Sequence, residues 1–150
     1  MRLIAVDPAA GMLRELAQAK ISDEASAVSW FGDFVLTGSW GVENLVQRWS
    51  IDTQDGLIGA EQDLFAHPSG LDVLAWRHDG QSLVTGGHDD TIRVWARRDS
   101  ALEELASLDD HTTGVHAVSW STDGAYLVLT SSRGDHVTLL DMRGCAPETL

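Results

Sequence analysis

The hydrophobic and polar positions of this 150-residue chain repeat along its length. Three short apolar segments end in tryptophan, at Trp30, Trp76 and Trp120, so neighbouring copies lie 46 and 44 residues apart. In the second and third copies an Asp-Gly pair begins three residues after the tryptophan, and this dipeptide favours a tight hairpin turn. A period of about 45 residues with such turns predicts a repeat architecture in which each unit is one small β-sheet.

The second copy shows the elements of one unit most clearly. Leu71–Trp76, Ser82–Gly86 and Thr91–Trp95 are apolar or alternating runs between turn residues, which predicts three strands. Leu102–Leu108 contains good helix formers, but its place in the repeat favours a fourth strand. A four-stranded unit cannot bury both of its faces alone, so we expect the units to stack around an axis as the blades of a β-propeller.

Dipeptides at fixed places in the repeat point to a known family. Ala66-His67 precedes the inner strand of the second copy and Trp95-Ala96 ends its third strand; the third copy has Asp110-His111 and Leu140-Asp141. On these residues the sequence resembles the WD-repeat (WD40) β-propellers over about residues 2–143. The resemblance implies an all-β fold, a partial WD40-type β-propeller of about three blades of four-stranded antiparallel sheets.

The repeat also divides the chain. We expect residues 1–20 to form the last strands of a preceding blade, 21–66 the first repeat, 67–110 the second, 111–143 the third without its outer strand, and 144–150 a tail. A closed propeller needs at least about four blades, so this chain cannot close a ring alone. We expect a fragment of a larger propeller, and the alternative is a ring completed by several chains.

The resemblance implies a buried structural tetrad of His67, Thr85, Asp89 and Trp95 in the second blade. In this arrangement the indole donates to the hydroxyl, the hydroxyl to the imidazole and the imidazole to the carboxylate, so every buried polar group has a partner. The alternatives, a catalytic relay or a metal site, are disfavoured because the network ends on a tryptophan and offers no activated nucleophile.

The other two copies depart from this tetrad. The first has no histidine at residues 20–22, although Thr37 and Trp49 are present and Glu43 is a candidate for the acidic position. In the third copy leucine replaces the tryptophan, and the hydroxyl position is open between Leu129 and Thr130. We expect these blades to depend more on apolar packing.

Partner binding in WD-repeat proteins uses the loops of one face. Trp40 is the most informative candidate, because it lies beside glycine in the longer turn of the first copy and tryptophan is enriched at interface hot spots. The alternative is that Trp40 packs against the neighbouring blade. By position the resemblance assigns partner binding to Trp40, His88 and Arg133 in the turns and to Ser26, Asp72 and His116 at the strand entries.

The composition limits which partners and cofactors we expect the chain to bind. The chain has 23 acidic and 10 basic residues, and a net charge of −13 repels phosphate backbones, so we expect no direct nucleic-acid binding. The acidic excess indicates either a solvated face or a basic partner. No apolar run approaches the ~20 residues that span a bilayer, so no membrane contact is expected. The six histidines and the single Cys145 form no closely spaced cluster, so we expect neither a metal site nor a cofactor.

These observations favour a non-catalytic protein-interaction scaffold that binds proteins or peptides within an intracellular complex, cytoplasmic or nuclear. Leu36–Trp40 and Trp49–Ile51 resemble nuclear-pore and messenger-RNA-export propellers. One alternative is a substrate receptor of a cullin-type ubiquitin ligase, because Leu140–Arg143 resembles an adaptor-docking ending with leucine in place of tryptophan. The other is a propeller-fold hydrolase, for which the sequence supplies no nucleophile or metal cluster.

Overall fold

A computed structural model of the chain describes residues 2–7, 11–21, 24–52, 54–55, 57–99, 101–109, 114–131 and 137–144. All regular structure in these residues is β, and none of it is a helix that could cross a membrane. The strands are β1 (Arg2–Asp7), β2 (Met12–Gln18), β3 (Glu24–Phe31), β4 (Phe34–Trp40), β5 (Leu45–Asp52), β6 (Leu57–Ala66), β7 (Leu71–Trp76), β8 (Ser82–Gly87), β9 (Ile92–Arg98), β10 (Ala101–Leu108), β11 (Val115–Trp120), β12 (Tyr126–Ser131) and β13 (Val137–Asp141).

The strands pair in chain order into four sheets. β3–β6 form the first blade, β7–β10 the second and β11–β13 a three-stranded third blade, while β1 and β2 pair as a separate hairpin. Every pair is antiparallel. The helix-forming residues of 102–108 thus lie in strand β10, paired with β9, because the sheet supplies backbone partners that a lone helical turn lacks.

Two of the turns have the geometry that their Asp-Gly pairs favour. Gly80 and Gly124 both have φ of 67°, a left-handed conformation that glycine adopts without steric cost. The preceding carboxylates stabilise the turns, since Asp79 accepts from the backbone N–H of Gln81 and Asp123 from that of Ala125, each at 3.0 Å. The turns therefore fix the hairpin between the first and second strands of these blades.

Facing blades pack across two apolar seams, and successive residues of one strand serve different seams. In β8, Leu83 packs into the first seam, between the first and second blades, and Val84 into the second seam, between the second and third. The first seam also contains Phe34, Leu36, Val46, Leu71, Leu74, Trp76 and Trp95; the second also contains Val73, Ile92, Val94, Val115, Leu127, Leu129 and Met142.

The strand register shows which residues of the three blades are equivalent. Trp30 pairs with Val35, Trp76 with Leu83 and Trp120 with Leu127, and those partners pair in turn with Trp49, Trp95 and Leu140. Counting from these pairs gives every equivalent position in the central strands.

The arc of blades is open at the third blade. Val128 and Val137 are exposed there, whereas their equivalents in the second blade, Val84 and Ile92, are buried in the second seam. Leu139 is likewise 63% exposed. The third blade therefore presents an apolar face of the kind that a following blade covers in a propeller.

Candidate partner-binding surface

The second blade contains part of the expected tetrad. The indole of Trp95 donates to the Thr85 hydroxyl at 2.8 Å, and both side chains are buried. The first blade repeats this bond, from Trp49 to Thr37 at 2.9 Å. A buried indole N–H without an acceptor is costly, so each pair fixes how the second and third strands of its blade meet.

The register resolves the ambiguous position of the third blade. Leu129 is equivalent to Thr85 and Leu140 to Trp95, so an apolar pair replaces a hydrogen-bonded pair. Both members of the pair are apolar here, so neither leaves a polar atom without a partner. Leu129 is fully buried in the second seam.

The rest of the tetrad differs from the expectation. Among the described residues no hydrogen bond joins His67 to Thr85 or to Asp89. Instead the Nδ1 of the buried His67 donates to the Ser69 carbonyl at 2.9 Å, and Arg93 donates to its Nε2 at 3.4 Å. Arg93 also donates to Asp89 at 2.7 Å. The expected direct bond from imidazole to carboxylate is therefore wrong, because a guanidinium lies between the two groups.

Arg93 was missed by the sequence reasoning, although the sequence carries a signal for it. Arg93 is two residues before Trp95, so in a strand it lies on the same face as that buried indole. A cation on a buried strand face needs an anion, and the preceding turn offers two candidates, Asp89 and Asp90.

This environment sets the protonation of the network. Burial lowers the pKa of His67, and the positive charge of Arg93 adds to that effect, so the neutral imidazole is favoured and Nε2 remains an acceptor. Burial alone raises the pKa of the Asp89 carboxyl, but hydrogen bonds from Arg93 and Ser69 outweigh it and the pKa lies below its usual value. The network therefore consists of a neutral histidine beside an Arg-Asp ion pair, and its hydrogen bonds stabilise the second blade.

Three of the predicted partner-binding residues meet at one end of the first seam. The ring of Trp40 stacks on His88, with centroids 5.7 Å apart and an angle of 29° between the planes. His88 Nε2 lies 3.3 Å from Asp72 Oδ1, and the His88 backbone N–H donates to the Gly70 carbonyl at 2.9 Å. The Trp40 ring covers Gly70 so closely that a Cβ there has no room. We call Trp40, Asp72 and His88 the aromatic surface.

The contacts of Trp40 match the packing alternative, and partner binding by this residue stays a prediction. Trp40 packs against the second blade through His88 and Gly70, and it still keeps 51% of its surface exposed. The contacts hold the ring in place, and the exposed half is free for another molecule.

The other predicted partner-binding residues are placed differently. The Ser26 hydroxyl hydrogen-bonds to the Leu71 carbonyl across the first seam and lies 3.3 Å from that of Gly38, so it joins the inner strands of two blades. His116 is exposed on β11 in the third blade, and among the described residues no hydrogen bond, ion pair or ring contact joins it to the aromatic surface. Arg133 falls outside the described residues.

Two alternatives from the sequence, a metal site and an adaptor-docking end at residues 140–143, can be compared with the structure. Within the described residues no group of three or more His, Cys, Asp or Glu side chains lies close enough to hold a metal ion. At the end of β13 the exposed Arg143 donates to Asp141 at 2.9 Å, and this pair holds the pKa of Asp141 at about 2. The ligase-receptor alternative based on residues 140–143 stays a prediction.

The stacked four-stranded sheets define a partial WD40-type β-propeller. Residues 60–96 and 102–141 match the family described as "WD domain, G-beta repeat", and together these matches cover just over half of the chain. The chain belongs to the WD-repeat family.

Several curated relatives are named as cell-cycle proteins. The chain is 25% identical over 117 residues to "Cell division cycle 20.1, cofactor of APC complex" of Arabidopsis thaliana, covering 75% of this chain and 24% of that protein. It is 28% identical to "Anaphase-promoting complex subunit cdc20" of Dictyostelium discoideum, covering 63% and 18%. It is 37% identical to "WD repeat-containing protein slp1" of Schizosaccharomyces pombe, covering 38% and 11%. The chain therefore spans a quarter or less of the length of these relatives.

A solved structure shows the same fold. A protein from Lactobacillus plantarum superimposes with a TM-score of 0.74 at 14% identity, over 97% of this chain and 46% of that one. At this identity the likeness concerns the fold alone.

Proposed function

We propose that this chain is a non-catalytic protein-interaction platform within a multiprotein complex, and that the aromatic surface binds a partner protein or peptide. The observation that carries the proposal is the half-exposed Trp40, held in place by His88 and Gly70. Tryptophan dominates the energetics of many interfaces, where its truncation costs about 2 kcal/mol or more.

The contacts that hold the Trp40 ring in place also favour partner binding. A side chain that is already fixed loses little rotamer freedom when a partner covers it, so more of the contact energy appears as affinity. Asp72 lies beside His88, and it supplies a carboxylate acceptor next to the ring. An aromatic face and a neighbouring carboxylate suit a peptide with hydrogen-bond donors.

The relatives support a place in an assembly. One is named as a cofactor and another as a subunit of the anaphase-promoting complex, so membership of such a complex is the specific version of the proposal. An intracellular location, cytoplasmic or nuclear, and completion of the ring by further blades belong to the same proposal. The net charge of −13 supports a protein partner over nucleic acid.

The test compares two variants of one turn by affinity purification from cells and quantitative mass spectrometry. Trp40→Ala removes the anchor, and Val42→Ala is the matched control because Val42 is 94% exposed in the same turn. We expect the wild type and Val42→Ala to retain the same partners, and Trp40→Ala to lose them. A loss of about 2 kcal/mol corresponds to roughly thirtyfold weaker binding.

Circular dichroism and thermal unfolding establish that Trp40→Ala keeps the fold. The same partners recovered at the same abundance with a folded Trp40→Ala variant contradict the assignment of the aromatic surface. Subunits of the anaphase-promoting complex among the lost partners support the specific version, and their absence among otherwise retained partners argues against it.

A further inference from the structure

A groove opens at the end of the first seam opposite the aromatic surface, where β4 and β10 begin and β7 and β9 end. Its cavity volume is about 30 Å³. The lining combines an apolar floor with two cationic residues and one acidic residue: Phe34, Leu64, Trp76 and Leu102 with Arg48, Arg97 and Asp99. We call this the arginine groove.

Both cations lie against one ring. The Cζ of Arg48 is 4.6 Å from the centroid of Phe34, and the Cζ of Arg97 is 5.8 Å from the same centroid. Arg97 donates to the backbone carbonyl of Asp99 at 3.3 Å. Within the part of the chain that the structure describes, no carboxylate lies within ion-pair distance of either guanidinium. Asp99 belongs to the lining but forms no ion pair with either arginine, so two cations over the same ring favour the arrival of an anion.

The floor of the groove carries a donor without an acceptor. Trp76 is only 9% exposed, and its indole nitrogen has no hydrogen-bond partner among the described residues. The equivalent tryptophans are both satisfied, since Trp30 donates to the Gly32 carbonyl at 2.8 Å and Trp120 to the Ala75 carbonyl at 3.1 Å. A buried donor without an acceptor is unusual in a folded protein and calls for an explanation.

The second seam shows that packing does not require the arginines. By register Val94 is equivalent to Arg48, and Met142 is equivalent to Arg97. Both are buried in the apolar core of the second seam. The same two positions thus close one seam with apolar side chains and line an open groove with cations in the other.

From these observations we propose that the arginine groove binds a carboxylate of an acidic peptide segment in a partner protein, with an apolar side chain next to that carboxylate. Guanidinium groups favour carboxylates through charge-assisted hydrogen bonds, and Phe34, Leu64 and Leu102 offer the apolar contact. The cavity has room for about two waters, which suits the end of one side chain. A nucleic acid carries many phosphates and is repelled by the net charge of −13, whereas one carboxylate needs only the local cations. The site is independent of the aromatic surface.

The test uses NMR titration with a defined pair of probe peptides, acetyl-Gly-Asp-Leu-Asp-Phe-Gly-amide and its counterpart with asparagine at both acidic positions. We expect the acidic peptide to shift the indole N–H signal of Trp76 and the side-chain signals of Arg48 and Arg97. The asparagine peptide binds about tenfold or more weakly, because it loses the charge-assisted bonds.

Variants locate the site. The double variant Arg48→Gln/Arg97→Gln is expected to weaken binding of the acidic peptide by about tenfold or more. Arg98→Gln is the matched control, because Arg98 is adjacent in sequence but exposed and 3.7 Å from Glu103. Trp40→Ala is expected to leave peptide binding unchanged. The proposal for the arginine groove and the proposal for the aromatic surface can therefore be contradicted separately.

Three results overturn the proposal: equal binding of the acidic and asparagine peptides, unchanged binding by a folded double variant, or equal losses in the double variant and in Arg98→Gln. A fluorescein-labelled single-stranded oligonucleotide that binds the groove more tightly than the acidic peptide overturns the choice of partner.

Discussion

The first seam joins strands equivalent to those of the second, yet among the described residues it carries different side chains at its ends. Its inner part is apolar, one end carries the aromatic surface and the other the arginine groove. The second seam is apolar out to Val94 and Met142. The comparison teaches that the repeat constrains the inner positions of a seam, while the positions at its ends are free to acquire binding chemistry.

The largest expected effect tests the common inner part of the seams. Leu83 and Leu127 are equivalent and fully buried, in the first and second seam respectively. We expect Leu83→Ala and Leu127→Ala each to lower the free energy of unfolding by about 2–5 kcal/mol through lost burial and a cavity. Urea denaturation measures both. A loss below about 1 kcal/mol at either position means that its seam is not closed as described.

A smaller effect concerns the hydrogen-bonded pair that the third blade lacks. Thr85→Val leaves the indole of Trp95 buried without an acceptor, and we expect a loss of about 1–3 kcal/mol. Thr130→Val is the control in the third blade, because the equivalent hydroxyl position there is Leu129. We expect that control to change stability by about 0.5 kcal/mol or less. Equal effects at both threonines contradict a special role of the indole bond.

The pH dependence of stability tests the buried histidine between the first two blades. The pKa of His67 is lowered below its usual 6.5 in the folded protein, so the unfolded chain binds the proton more readily. Stability is fully present above that value and is lost as the pH falls through the folded pKa. Denaturant midpoints from about pH 8 to about pH 5 measure this, and His67→Gln is expected to flatten the profile.

Stability that rises toward pH 5 in the wild type, or a His67→Gln profile identical to the wild type, is incompatible with the environment of His67.

The smallest effect comes from giving the first seam the residues of the second. In Arg48→Val/Arg97→Met we expect a change in stability of about 1 kcal/mol or less, because lost cation–π contacts are offset by apolar burial. Urea denaturation measures the change. A loss above about 2 kcal/mol means that the arginines are structural and weakens the case for a binding groove.

The sequence was a good guide to what the repeat itself imposes. Spaced tryptophans and Asp-Gly turns predicted the strands of the second blade, including β10, and the resemblance implied the contact between Thr85 and Trp95. These features depend on neighbours within one sheet, where the two-residue period of a strand and the turns at its ends determine which side chains are in contact.

Contacts between sheets were beyond that reasoning. Arg48 and Arg97 both lie against Phe34 because strands of two different blades come together at the same end of the first seam. In the sequence alone, each arginine resembles a solvated surface residue. Arg93 was missed for a related reason, since its charge suggested solvent although its position in the strand placed it inside. The sequence left open that Trp40 packs against the neighbouring blade, but no local pattern identifies His88 as the ring on which it stacks.

The bare face of the third blade has a consequence for how the molecule comes apart. Each sheet exchanges its main contacts with the sheet before and after it, so unfolding can proceed as fraying along a one-dimensional array. The second blade is covered on both faces, whereas the third is covered on one. Amide protons of β11–β13 should therefore exchange with solvent well before those of β7–β9, and a covering molecule should slow that exchange.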